Sequence, residues 1–274
     1  MPLRPAARLA GLSPRRRGLL AVIALVVVAL AVGGVLLAGR GSNTPGDPAA
    51  SRPSYVLLVP GYGGSTTALS QLAARIRPTG RTATVVPLAG NGTGDLQVQA
   101  RVLNGYVNQA LRDGSGPVTV IGYSAGGVVA WLWDADFRAA GKVRRFITLG
   151  SPLHGANLAA LGEAFVPGEC PTACQQLVPG SALLTALQDS PAGRPPWLSL
   201  WTTDDQVVQP PDSARLAGAV NMPLQSVCPG VSIQHGQLPT DPLVVGIVLR
   251  SLSSNTVSAP LPGQCHSLQA LVSR

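Results

Sequence analysis

The chain has 274 residues, a formal net charge of +8, and 46% hydrophobic but only 4% aromatic residues; that length suits one large α/β domain or two small ones. Six of its 20 basic residues (Arg4, Arg8, Arg15, Arg16, Arg17 and Arg40) fall in the first 40 positions, where there is no acid, so the rest of the chain sets 14 basic against 12 acidic residues. No basic stripe remains to follow a phosphate backbone and there are too few aromatics for a base-stacking platform, which argues against a nucleic-acid partner.

Residues 1–17 form a basic segment, and residues 18–39 are an uninterrupted apolar run closed by Arg40. The run is long enough to cross a bilayer as a helix. The arginine excess before it predicts that end inside and the remainder outside the cytoplasm. A cleaved signal would have a shorter apolar region and an Ala-x-Ala-like site. Here the run leads into Ala38-Gly39-Arg40-Gly41-Ser42, which favours an uncleaved anchor over a secretion signal. Arg16-Arg17-Gly18-Leu19-Leu20 loosely fits a twin-arginine export pattern, although plain topology charge explains it as well and is preferred. Residues 40–54, rich in Gly, Ser, Asn, Pro and Ala, read as a linker.

A catalytic-sized unit follows over 55–253. Tyr55-Val56-Leu57-Leu58-Val59 reads as a fully buried strand ending in the loop Pro60-Gly61-Tyr62-Gly63-Gly64. Helical spacing over 66–76 and a second buried strand over 82–86 come next. Asp95 is placed to cap a helix running to 111 or 112. Residues 118–121 predict a third strand, stopped by Gly122-Tyr123-Ser124-Ala125-Gly126, with a helix from there to about 140. Strand, Gly-x-Ser-x-Gly turn and helix together make a nucleophile elbow: the serine takes a strained conformation, and its small flanking residues let strand and helix approach. Residues 143–149 give a fourth strand, ending in Gly150-Ser151-Pro152-Leu153-His154. The proline- and glycine-rich stretch 156–194 breaks the rhythm and reads as an insertion near the site, suited to a partial cover. Strands are then expected at 197–201 and around 224–227, a last helix over 243–252 capped by Asp241, and a loosely packed tail over 254–274. Alternating strands and helices predict an α/β fold, a mostly parallel sheet with helices on both faces and ligands at the carboxyl ends of the strands.

Of the four cysteines, Cys170 and Cys174 lie too far from a second pair for a zinc knuckle. Two disulfides are expected, in keeping with an oxidising compartment; four cysteines permit three connectivities, of which Cys170–Cys174 with Cys228–Cys265 is the one preferred. The second would hold the tail. No metal or cofactor is expected: the Gly61–Gly64 loop lacks both the Lys-Ser/Thr of a phosphate loop and dinucleotide-binding spacing.

A serine hydroxyl needs a base, and the base needs an orienting acid. In the chain order Ser, acid, His, the histidine must follow an acid at a later strand end. His154 precedes every such acid and suits a structural or rim position; His266 sits in the tail. His235, in the loop before the last helix, is the candidate base. Asp204 and Asp205 both follow the 197–201 strand. Asp205 is preferred because the apolar Val207-Val208 after it can pack down and aim its carboxylate inward. The oxyanion would be met by the backbone N–H groups of Ala125 and, in the glycine-rich loop, of Tyr62.

In order along the chain, Val59-Pro60-Gly61-Tyr62-Gly63-Gly64, Gly122-Tyr123-Ser124-Ala125-Gly126-Gly127, Gly150-Ser151-Pro152, Asp205-Gln206-Val207-Val208 and His235-Gly236-Gln237-Leu238-Pro239 resemble the small secreted bacterial lipases and esterases of the α/β-hydrolase superfamily, the class 2 lipase group. The resemblance covers about 55–253. It implies the α/β-hydrolase fold, hydrolysis of carboxylic esters, and Ser124, Asp205 and His235 as nucleophile, acid and base. Pro60 departs from the histidine many members carry before the glycine, and the 156–194 insertion leaves the acyl pocket undefined. An acyltransferase would use the same three residues with another alcohol as acceptor, and a non-catalytic binding protein could share the fold.

Overall fold

A computed structural model describes Arg15 and residues 54–157, 170–188 and 195–273. The chain divides into Met1–Ser51 and Arg52–Arg274; the second unit holds the sheet. The apolar run 18–39 lies outside the described residues, and among those described no helix is long and apolar enough to cross a membrane.

Six strands form the sheet: β1 (Tyr55–Val59), β2 (Thr82–Val85), β3 (Val118–Tyr123), β4 (Val143–Leu149), β5 (Trp197–Trp201) and β6 (Val220–Pro223). Their order is β2-β1-β3-β4-β5-β6 and every pairing is parallel. Successive side chains alternate between faces, so β1, β3 and β5, covered on both faces, are buried almost throughout, whereas the edge strands β2, expected to be fully buried, and β6 are partly exposed. Leu57, Val59 and Val120 face α2 (Leu96–Arg112) and α3 (Ala125–Phe137), while Val56, Leu58 and Ile121 face α1 (Thr67–Ile76) and α7 (Pro242–Ser253). Helix α3 is buried from Ala125 to Trp133, so it carries no solvent stripe to betray it as amphipathic. Its end comes at Arg138, whose φ of 53° no helix continues, three residues or so before the expected stop.

The strand expected at 224–227 is instead the short helix α6 (Leu224–Val227), and the strand lies four residues earlier as β6. Pro223 explains the shift. It lacks an N–H to extend the ladder, and its φ of −68° suits the start of a helix. Leu224 and Val227, three apart, then bury on one side.

Both disulfides form as expected, Cys170–Cys174 and Cys228–Cys265. The latter closes a separation of 37 residues, and by loop entropy contributes about 4 kcal/mol against about 2 kcal/mol for the short one. The tail it holds is packed more tightly than its composition suggested. Helix α8 (Cys265–Gln269) buries Leu268 and lies on α7 at Gly246, where a Cβ would sit 2.6 Å from the Leu268 carbonyl carbon.

The amino edge of the sheet is fastened by arginines. Arg145, only 1% exposed, donates to the carbonyls of Ser251 and Ser254, and Arg81 Nη2 donates to Leu252 O at 2.6 Å. These are the carbonyls that α7 leaves unpaired at its carboxyl end, where its dipole is negative. Burial, then the neighbouring Arg144, lower both guanidinium pKa values from their ordinary range.

Candidate active site

The chain runs from β1 outward to β2 and then returns to place β3 on the other side of β1. That reversal is a topological switch point, where the loops leaving two adjacent strands diverge and open a crevice. The loop after β1 holds Tyr62, and the turn after β3 holds Ser124.

Ser124 has φ 52° and ψ −127°, a conformation L residues adopt only when their surroundings impose it. Its N–H donates to Leu149 O at 2.9 Å, which ties the turn to β4. A Cβ on Gly122 would lie 2.5 Å from the Gly127 Cα, and one on Gly126 would meet the carbonyl oxygens of Val59 and Pro60. Larger residues at either position would therefore push strand and helix apart. Gly61 passes against the serine itself: its Cβ would be 2.9 Å from Ser124 Cβ and 3.5 Å from Ser124 Oγ. The β1 loop then turns back, with Gly64 N–H donating to Gly61 O at 3.1 Å and Tyr62 buried between them. Ala125 opens α3.

Two strands away, Asp205 and His235 form a buried pair, 1% and 3% exposed, with His235 Nδ1 2.7 Å from Asp205 Oδ2. Asp205 Oδ1 accepts from the N–H groups of Val207 (2.9 Å) and Val208 (2.8 Å). Oδ1 is thus held by two backbone donors and Oδ2 is left facing Nδ1, the arrangement in which a carboxylate accepts the ring N–H. Asp204, next to it, is exposed, and its own N–H turns back to Thr202 Oγ1. His235 Nε2 is buried and has no hydrogen-bond partner. The structure therefore brings Asp205 and His235 together and sets Ser124 at the elbow, without a hydrogen bond from Nε2 to the serine.

Three contacts fix the imidazole that the sequence did not reveal. The Tyr123 hydroxyl donates to His235 O at 3.3 Å, and its ring lies 5.2 Å from the imidazole. Burial, then the charge of Asp205, raise the Tyr123 pKa, which keeps the phenol a donor. Gln206 Oε1 accepts from His235 N–H at 3.4 Å. Gly150, with φ 56°, packs so closely that its Cβ would meet Leu238 Cδ1 at 2.5 Å, His235 Nδ1 at 3.1 Å and Asp205 Oδ2 at 3.2 Å. Only its place at a strand end hinted at this.

The other histidines do other work. His154 is exposed, with Nδ1 3.1 Å from Ser213 O, and His266 is exposed on α8. Asp241 caps α7 through Leu243 N–H at 2.8 Å. No group of three metal-ligating side chains occurs among the described residues.

Within 156–194, residues 158–169 and 189–194 lie outside the described ones. The remainder holds α4 (Thr172–Gln176) and α5 (Ala182–Gln188). It is clamped where it meets the domain. Ala173 N–H donates to Thr93 O, Gln176 bridges Leu96 N–H and Asp95 Oδ1, and Ala156 N–H donates to Leu177 O.

Parallel sheet, elbow and buried acid–histidine pair define the α/β-hydrolase fold, and solved structures agree. The chain is similar to Aspergillus fumigatus lipase B, with a TM-score of 0.68 at 18% identity over 82% of this chain and 62% of the fungal one. It is also similar to the mature form of the Bacillus licheniformis lipase BlEst2, with a TM-score of 0.53 at 22% identity over 64% of this chain and 83% of that one. The ydeN gene product of B. subtilis follows at 0.51 and 17% identity, over 73% of this chain and all of that one. The chain thus spans less than two thirds of the length of the Aspergillus enzyme. No family model matches the sequence, and no curated protein does.

Proposed function

We propose that the protein is a serine hydrolase that cleaves carboxylic esters, lipid acyl esters foremost, outside the cytoplasm. The observation that carries this reading is the buried Asp205–His235 pair, whose second ring nitrogen is buried and unpartnered and whose imidazole packs against Tyr123, the residue before Ser124 in the Gly-x-Ser-x-Gly turn. An orphaned buried nitrogen costs about 1–3 kcal/mol unless something occupies it during function.

In this reading His235 Nε2 takes the proton as Ser124 Oγ attacks the ester carbonyl. The Tyr62 and Ala125 backbone N–H groups meet the oxyanion. Collapse of the tetrahedral intermediate breaks the ester C–O bond, and the alcohol leaves with the proton held on Nε2. Water, deprotonated by the same nitrogen, then attacks the acyl-enzyme, and the released acid frees Ser124. Asp205 keeps the proton on Nδ1 and steadies the imidazolium. No cofactor enters any step. The lipases among the structural neighbours support an ester substrate, and the two disulfides support an oxidising compartment. Residues 18–39 would hold the enzyme at the outer face of the membrane, or direct its secretion if cleaved. The test is initial rates on p-nitrophenyl esters of graded chain length, beside Ser124→Ala. The substitution is expected to lower kcat by about 10⁶-fold with an unchanged thermal transition; comparable turnover in the variant refutes the assignment.

A further inference from the structure

The amino edge of the sheet carries a charge that the proposed chemistry does not use. Between positions 54 and 94 the sequence has three arginines, Arg75, Arg77 and Arg81, and no acid; between 242 and 273 it has Arg250 and again no acid. Folding joins these two stretches, since α1 and α7 share one face of the sheet and Arg81 Nη2 reaches Leu252 O. The start of β4 adds Arg144 and Arg145 to the same place, with Arg145 Nη2 at 2.6 Å from Ser254 O. Arg77 Nη2 lies 3.0 Å from Ala83 O and Arg250 Nη1 3.2 Å from Ser258 O. These contacts orient the side chains through backbone carbonyls, and none of these arginines is seen in an ion pair with a carboxylate among the described residues. Arg75, Arg77 and Arg144 are exposed, and Arg81 and Arg250 half-buried. Among the described residues, the acids at the same end of the sheet, Asp113, Asp134 and Asp136, belong to the α2 and α3 side.

The place where the chain enters selects the partner. β1 begins on this edge, Tyr55 lying in register with Thr82, one residue after Arg81. Residues 40–54, at most about 50 Å long when extended, connect this point to the apolar run. We propose that this arginine-lined edge docks on an anionic lipid bilayer, with guanidinium groups on headgroup phosphates and Ser124, at the opposite ends of the strands, facing away from it. The inference concerns a surface distinct from the proposed site, but one consequence links them. Esters would reach Ser124 from the side away from the bilayer on which the domain sits.

The test uses the full chain with a site-specific protease sequence placed between residues 41 and 50, reconstituted in vesicles of phosphatidylcholine alone or mixed with phosphatidylglycerol. After cleavage, the domain should leave neutral vesicles, sediment with anionic ones at low salt, and be stripped from those at high salt. Arg75→Gln/Arg77→Gln/Arg144→Gln should keep the parent's thermal transition and its rate on a soluble ester, yet partition about a hundredfold less, at about 1 kcal/mol per arginine and 1.4 kcal/mol per tenfold. Release of the parent domain from anionic vesicles at low salt overturns the proposal, as does retention of the variant equal to the parent. Retention on a polyanionic polysaccharide but not on vesicles assigns the surface to a soluble polyanion, and also overturns it. Failure of the uncut chain to stay with neutral vesicles counts against the membrane reading of 18–39, while sedimentation of the cut domain still scores the arginines. Ester hydrolysis, measured separately, scores the proposed activity.

Discussion

The two ends of this sheet use polar groups in opposite ways. At the amino edge, Arg145 and Arg81 are spent on the carbonyls that α7 leaves unpaired, so charge there stabilises a helix end. At the carboxyl edge, Asp205 is satisfied on both oxygens and His235 on one ring nitrogen, but Nε2 is left with nothing. The backbone differs too. Near the site Gly61 and Gly150 let main chain crowd against Ser124 and against the His235–Asp205 pair, while Gly122 and Gly126 let strand and helix backbones meet. Among the described residues Arg145 Nε, Ser151 Oγ and Ser213 Oγ are also buried without a partner, but of these atoms only His235 Nε2 belongs to a ring whose other nitrogen is held by a buried carboxylate. On the proposed function, the contrast puts chemistry at one edge and the fastening of α7 at the other.

The largest effect expected from breaking the contrast is at His235. His235→Ala should lower kcat on a soluble ester by about 10⁵- to 10⁶-fold and Asp205→Asn by about 10⁴-fold, each retaining a cooperative thermal transition. Activity within tenfold of the parent in either variant would remove the carboxyl edge from the account. At the other edge, Arg145→Met should cost about 3 kcal/mol of stability in denaturant titrations, since it strips charged donors from two carbonyls. Its kcat in dilute buffer should match the parent, and a kcat loss without a stability loss would mean that the edges are not separable. Gly150→Ala sharpens the comparison most finely. Its Cβ meets His235 Nδ1 and Asp205 Oδ2, so the ring must shift; a misplacement on the order of 1 Å costs about a hundredfold in kcat. The accompanying loss of stability should stay within about 1–3 kcal/mol. Unchanged kcat would show that the ring is not held where the geometry puts it.

Much of the frame was legible because local chemistry and global fold agree. Continuous β-branched runs announce strands buried on both faces, and Gly122-Tyr123-Ser124-Ala125-Gly126 marks the strained turn that only small flanking residues permit. Asp205 could be preferred to Asp204 because Val207 and Val208 had to pack down. In the structure their N–H groups are what hold its carboxylate. Other features depended on partners distant in sequence. The apolar residues around 222–227 fit a strand or a helix equally, and Pro223 settles the matter only when the ladder position is known. Arg145 reads as a surface residue beside Arg144 until the end of α7, more than a hundred positions later, is placed against it. Tyr123 could be seen as the second residue of a motif, but its bond to His235 O spans 112 positions. The tail seemed loose because its composition is loop-like; the close approach at Gly246 and the Cys228–Cys265 bridge pack it.

The central claim is that one serine, and no other, is made nucleophilic by His235. Treating the purified protein with a fluorophosphonate probe and mapping the adduct by peptide mass spectrometry tests it directly. A single adduct on Ser124, formed rapidly by the parent and at least a thousandfold more slowly by His235→Ala, is the predicted result. An unlabelled protein, or an adduct on a serine elsewhere, would contradict it.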